Sequence, residues 1–147
     1  MSARISSILE PNTSQIVKRI KAINTFIESG YEVHLNFSPI VAYEGWLEDY
    51  EDLFKDLNIY INENYKSFIK AKCIFLTHNH REHERNLLSN KLESEALMWK
   101  PEIQENKISE YGGETVRYKS AVKSNFIQHW TTLHDRVIPW NTIRYIF

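Results

Sequence analysis

Ile16, Ile20, Ile23 and Ile27 recur three to four residues apart, Val17 and Phe26 widen the stripe, and Gly30 stands where a left-handed cap ends a helix. The spacing predicts an amphipathic helix with Lys18, Arg19 and Lys21 on its wet face. Trp46, Tyr50, Leu53 and Leu57, with Leu47 and Phe54 alongside, predict a second helix whose outer face, Glu48, Asp49, Glu51 and Asp52, is acidic. Residues 58–70 continue helically, with Tyr65, Phe68 and Ile69 turned inward. A last helix carries Val122, Phe126, Trp130, Leu133 and Val137 at the same period until Pro139 stops it.

Between the helices lie shorter apolar runs. Residues 3–9 read as a short, largely buried strand, followed by a Glu10-Pro11-Asn12-Thr13-Ser14 break that caps the first helix. Residues 31–38 read as a second strand, which Pro39 ends because it has no N–H for a sheet ladder. Residues 71–77 form a continuous apolar run, expected of a strand covered on both faces in a parallel sheet. Residues 81–105 are less regular. Tyr111-Gly112-Gly113-Glu114 has turn chemistry and Thr115-Val116-Arg117-Tyr118 strand propensity, which predicts a hairpin, and residues 142–147 form a terminal strand. Alternating strands and helices imply parallel strands joined by right-handed crossovers, either an open α/β sheet or a segment of a barrel. No linker or low-complexity stretch divides residues 1–147, so one domain is expected.

Charge narrows the partners. A net charge of -1 gives no global attraction to polyanions, so any DNA contact must be local and away from the acidic helix. No apolar run approaches the roughly 20 residues of a membrane-spanning helix, and the first ten residues lack a signal-like apolar segment, so a cytoplasmic protein is expected. The one cysteine, Cys73, lies in an apolar strand and reads as a small buried hydrophobe.

Two segments carry candidate chemistry. Thr77-His78-Asn79-His80-Arg81-Glu82-His83 resembles the Thr-His-x-His-x-Asp-His signature of the metallo-β-lactamase fold, with Glu82 at the acid position. It offers His78, His80 and His83 as metal ligands for a metal-dependent hydrolase, against a polar loop that follows a buried strand. No spacing recommends His129 or His134 as ligands. Arg117, Tyr118 and Lys119, with Lys107 before the turn and Lys123 after it, form a basic and aromatic cluster that reads as a solvated hairpin or as a nucleic-acid contact.

Several separated stretches together resemble the spore photoproduct lyase family of radical S-adenosylmethionine (SAM) enzymes. They are Ser2-Ala3-Arg4, Glu10-Pro11-Asn12-Thr13-Ser14, Ser38-Pro39-Ile40 with Glu44-Gly45-Trp46, Thr77-His78, and the Arg117-Tyr118-Lys119 hairpin, in order over essentially the whole chain. The resemblance implies the C-terminal portion of a partial (β/α) barrel of the radical SAM type, with a β-hairpin near its C-terminus. It implies SAM and a four-iron four-sulfur cluster as cofactors of the complete protein. The cluster is held by a C-x-x-x-C-x-x-C run in the family's N-terminal half, which the one cysteine here cannot replace and which a second polypeptide would supply in a split enzyme. In the family a deoxyadenosyl radical abstracts hydrogen from a thymine-dimer lesion in DNA and triggers its reversal. By similarity, Ser2, Arg4 and Ser38 would bind SAM, while His78 and the Arg117-Tyr118-Lys119 hairpin would meet DNA with a flipped-out lesion. The family's Gly-Arg-Tyr-Gly hairpin tip stands here as Ser120-Ala121-Val122-Lys123, which leaves another nucleic-acid substrate open. Without the cluster half, the resemblance implies either an inactive subunit or a non-catalytic DNA-binding remnant.

Overall fold

A computed structural model describes residues 1–108 and 112–147. The chain opens with helix α1 (Ala3–Leu9), where a strand was expected. Ser2 caps it by accepting from Ile5 N, and the buried positions Met1, Ser2, Ile5 and Ser6 repeat with a helical period. A seven-residue apolar run cannot be assigned by composition; the cap decides it here. Helix α2 (Ile16–Glu28) follows the expected stripe, burying Ile16, Ile20 and Ile23, although Phe26 lies half outside the core against Tyr31.

Strand β1 (His34–Ile40) starts later than expected and runs through Pro39. Its pairing with the next strand slips between Phe37 and Ile40, so the missing proline N–H falls in an irregular part of the ladder, where none is needed. Gly45, at φ +82, turns the chain into α3 (Trp46–Tyr60), which buries Trp46, Tyr50, Leu53, Phe54 and Leu57. The helix then stops: Ile61 is extended, a single turn α4 (Glu63–Lys66) follows, and Phe68 points outward, against the inward placement expected.

Strand β2 (Lys70–Phe75) alternates exposed and buried positions, so only one of its faces is covered. Two helices, α5 (His80–Leu88) and α6 (Leu92–Met98), occupy the stretch that showed no regular period. A 3₁₀ turn at Pro101–Ile103 leads into β3 (Gln104–Ile108), antiparallel to β4 (Glu114–Tyr118) as the expected hairpin. The turn assigned to Tyr111-Gly112-Gly113-Glu114 lies partly outside the described residues. Ser120-Ala121-Val122-Lys123 is not the hairpin tip; it forms the first turn of α7 (Ser120–Val137). Strand β5 (Thr142–Ile146) closes the chain.

β1, β2 and β5 form a parallel sheet in that order. Helices α3 and α7 cover one face, where Phe37, Phe54, Tyr50 and His134 surround the fully buried Trp130 at centroid distances of 5.3 to 5.9 Å. Burial of these rings adds apolar area and edge-to-face contacts to the core. Beneath it, Asn141 donates from Nδ2 to Ile69 O at 2.9 Å, and its Oδ1 lies 3.0 Å from His134 Nε2, which ties β2, α7 and β5 together. The other sheet face carries Asn36, Ser38, Lys72, Ile74 and Tyr145, all exposed or half-buried. No described helix is long and apolar enough to cross a membrane.

Candidate functional site

Parallel α/β sheets concentrate ligand chemistry at the C-terminal ends of their strands. At the end of β1, the chain beyond Ile40 meets the first turn of α1. Ser2 Oγ lies 3.3 Å from the Tyr43 hydroxyl, Tyr43 donates to the Asp49 carboxylate, and the Arg4 guanidinium sits 5.2 Å over the Tyr43 ring. Burial first, and then the Asp49 carboxylate, push the Tyr43 hydroxyl up to about 12, so it stays a proton donor at any physiological pH. The structure thus gathers Ser2 and Arg4 around Tyr43. Ser38 remains apart on the open face of β1, its hydroxyl without a hydrogen bond among the described residues. Neither Tyr43 nor Asp49 was singled out from sequence, because the contact that gives them a role spans from Ser2 to Tyr43.

The hairpin sits across the end of β2. Thr77 Oγ1 donates to Val116 O at 2.5 Å, and Lys119 N donates to Ile103 O at 3.0 Å. Tyr118 is the hairpin's anchor: its ring is buried edge-on against Phe126 at 5.4 Å, and burial pushes its hydroxyl up to about 12. Arg117 stays exposed and pairs with Glu105 across the ladder at 2.7 Å, while Lys119 Nζ reaches Glu102 O at 2.8 Å. Lys123 is held below the usual lysine range by burial and then by the nearby charges of Arg117 and Lys107. Three cations therefore share one side of the hairpin. Lys100, on the chain leading into it, donates from Nζ to Ala42 O and so links this region to the end of β1.

The three imidazoles that resembled a metal loop take separate hydrogen-bond partners. His78 Nε2 lies 2.8 Å from Asn86 Nδ2, His83 Nδ1 pairs with the Glu95 carboxylate, and His80 Nε2 lies 2.9 Å from Asn106 Oδ1. Among the described residues no group of three or more His, Cys, Asp or Glu side chains is arranged to hold a metal ion. Helix α5 places His80 and His83 one turn apart on one face, both against Trp99, whereas His78 precedes the helix. Glu95 is 8% exposed and also accepts from Asn86 Nδ2 at 3.2 Å, so it joins His78 and His83 through one carboxylate. Burial lowers the His78 pKa, with the Glu95 charge opposing. The signal for Glu95 was a charged residue three positions before Met98 on the buried face of α6.

The donor set bears on the cofactors. Ser38, Arg4 and the Tyr43 hydroxyl are groups of the kind that take ribose hydroxyls and a carboxylate, so they fit SAM chemically. Cys73 does not fit a cluster: it is fully buried in β2, and burial pushes its thiol up to about 12.

These features define an α/β chain whose parallel strands end in a polar site roofed by a basic hairpin. A family profile for spore photoproduct lyase matches residues 2–147, and the chain belongs to that family. Spore photoproduct lyase of Bacillus subtilis (strain 168) is 33% identical over 87 residues, covering 57% of this chain and 25% of the relative. Spore photoproduct lyase complexed with dinucleoside spore photoproduct superimposes with a TM-score of 0.84 at 18% identity, over 99% of this chain and 42% of that one. A variant with bound AdoMet and dinucleoside spore photoproduct matches equally well. The chain thus spans well under half the length of these relatives, and the likeness in structure carries the fold.

Proposed function

We propose that this chain is the C-terminal, substrate-side portion of a spore photoproduct lyase-like radical SAM protein acting on UV-damaged, thymine-dimer DNA. The observation that carries the reading is the match to that family across residues 2–147, together with a cationic hairpin fixed over the strand ends. Ser2, Arg4 and Ser38 line the SAM side. Tyr43 positions the first two of these from its bond to Asp49. SAM, with its cluster, supplies radical chemistry when bound. The cluster is held by residues outside these 147, and without them this chain is inactive.

On the DNA side, Arg117, Lys119, Lys107 and Lys123 meet phosphates, and His78 faces the lesion from the end of β2. Tyr118 serves by locking the hairpin, since its ring is buried. The chain folds as one domain and works in the cytoplasm. The commitment of His78, His80 and His83 to Asn86, Asn106 and Glu95 counts against the metal-hydrolase alternative.

Binding of the 147-residue chain to UV-irradiated and intact duplexes tests the reading. Preferential binding that weakens with salt and with Arg117→Ala is expected. Equal or absent binding to irradiated DNA refutes the lesion assignment. Repair activity restored by adding a cluster-bearing partner chain supports a split enzyme, and salt-sensitive binding with no activity under any partner leaves a DNA-binding remnant.

A further inference from the structure

Beside the hairpin lies a cleft of about 190 Å³ that neither the strand-end site nor the cationic cluster uses. Trp99 forms one wall. One face of its indole is already covered by the His83 ring, stacked at 4.0 Å with an interplanar angle of 11°, and His83 is itself held by buried Glu95. His80 meets the indole edge-on at 5.2 Å and is fixed by its bond to Asn106. Pro101 and Val116 complete the apolar lining. Polar groups are few but well placed: the Asn106 amide N–H₂ has no partner among the described residues, and Gln104 is committed to Lys100 N and Met98 O. At the rim, Glu105 lines the cleft and holds Arg117 across the ladder.

A rigid indole backed by a second ring, an amide at the edge of the slot and a cation at its rim match a planar heterocycle carrying a phosphate. We propose that this cleft is a stacking subsite for an unpaired nucleobase of single-stranded or locally opened nucleic acid, with Trp99 as its platform and Arg117 on the flanking phosphate. The proposal deepens the DNA-binding reading and rests on it. Stacking tolerates any base because every base has a π-face, so the subsite holds the strand next to a lesion without reading sequence.

The test measures binding of the full chain to a fluorescent oligothymidine and to an abasic oligomer of the same length, by anisotropy at two salt concentrations. The wild-type chain is expected to prefer the base-bearing strand. Trp99→Ala should weaken oligothymidine binding by about fivefold or more, the lower end for loss of one stacked base, and leave abasic binding unchanged. Trp99→Phe, which keeps a ring, should retain most of the affinity. Arg117→Ala should weaken both oligomers and flatten the salt dependence. Equal wild-type affinity for the two oligomers overturns the subsite whatever the variants do. So does a folded Trp99→Ala chain that binds oligothymidine as the wild type does, while the Arg117→Ala loss keeps the DNA reading standing. No binding to either oligomer removes both.

Discussion

Replacing Asn141 with alanine should destabilise the fold far more than its position in a short loop implies. The side chain is 4% exposed and makes two buried hydrogen bonds, to Ile69 O at 2.9 Å and with His134 Nε2 at 3.0 Å. Truncation leaves both partners buried and unpaired, and each such group costs about 1–3 kcal/mol. The expected loss is therefore roughly 2–6 kcal/mol, a large share of the ~5–15 kcal/mol that stabilises a typical domain. At a urea slope of about 1–3 kcal/mol per molar, the unfolding midpoint should fall by roughly 0.7 M or more with the slope unchanged. Far-ultraviolet circular dichroism and tryptophan fluorescence, followed through one urea titration, would read it. In an Asn141→Ala, His134→Leu double variant the losses should be less than additive, because the two side chains share a bond. A midpoint shift equivalent to less than about 0.5 kcal/mol, the scale of an ordinary surface substitution, would refute the claim that this bracket holds the sheet to α7.

Glu105→Gln should release Arg117 from its cross-strand ion pair and tighten oligonucleotide binding, with a steeper salt dependence; weaker binding would mean that the pair positions the arginine for DNA. Because burial depresses the His78 pKa, the folded state resists its protonation: its contribution is fully present above the unfolded value near 6.5 and is lost as the pH falls through the lower folded value. Urea stability measured from pH 7.5 to pH 5 should fall more steeply in the wild type than in His78→Gln, and parallel profiles would exclude this source. Cys73 is fully buried, with its thiol pushed up to about 12, and should react with a thiol reagent at pH 8 only after urea unfolding. Rapid labelling of the native chain would place it elsewhere.

What the sequence showed and what it hid divide along physical lines. Helices α2, α3 and α7 were legible because each buries one stripe, and Trp46, Tyr50, Leu53 and Trp130 stand at helical spacing on it. Residues 3–9 were misread because a short apolar run has no period long enough to separate helix from strand, and the deciding bond runs from Ile5 N to Ser2. The hairpin was visible in Thr115 to Tyr118, but its tip was placed too late in the chain, and the burial of Tyr118 depends on Phe126 of the next helix. Arg4 was marked by resemblance alone. Tyr43, Asn86 and Trp99 gave no local signal of a site role, because their roles arise from contacts between α1 and the end of β1, or among α5, α6 and the hairpin.

The strand order β1-β2-β5 also sets a timetable for synthesis. β2 ends at Phe75, yet its second edge is filled only by β5, which starts at Thr142 and whose neighbour Phe147 exchanges backbone bonds with Cys73 and Phe75. A ribosome adding about 5–20 residues per second leaves that edge open for several seconds while α5, α6, the hairpin and α7 emerge. During that interval the nascent chain displays the apolar flank of β2 without the cover of α7, a state suited to capture by a chaperone or by another nascent copy. Slowing translation across the hairpin would prolong it.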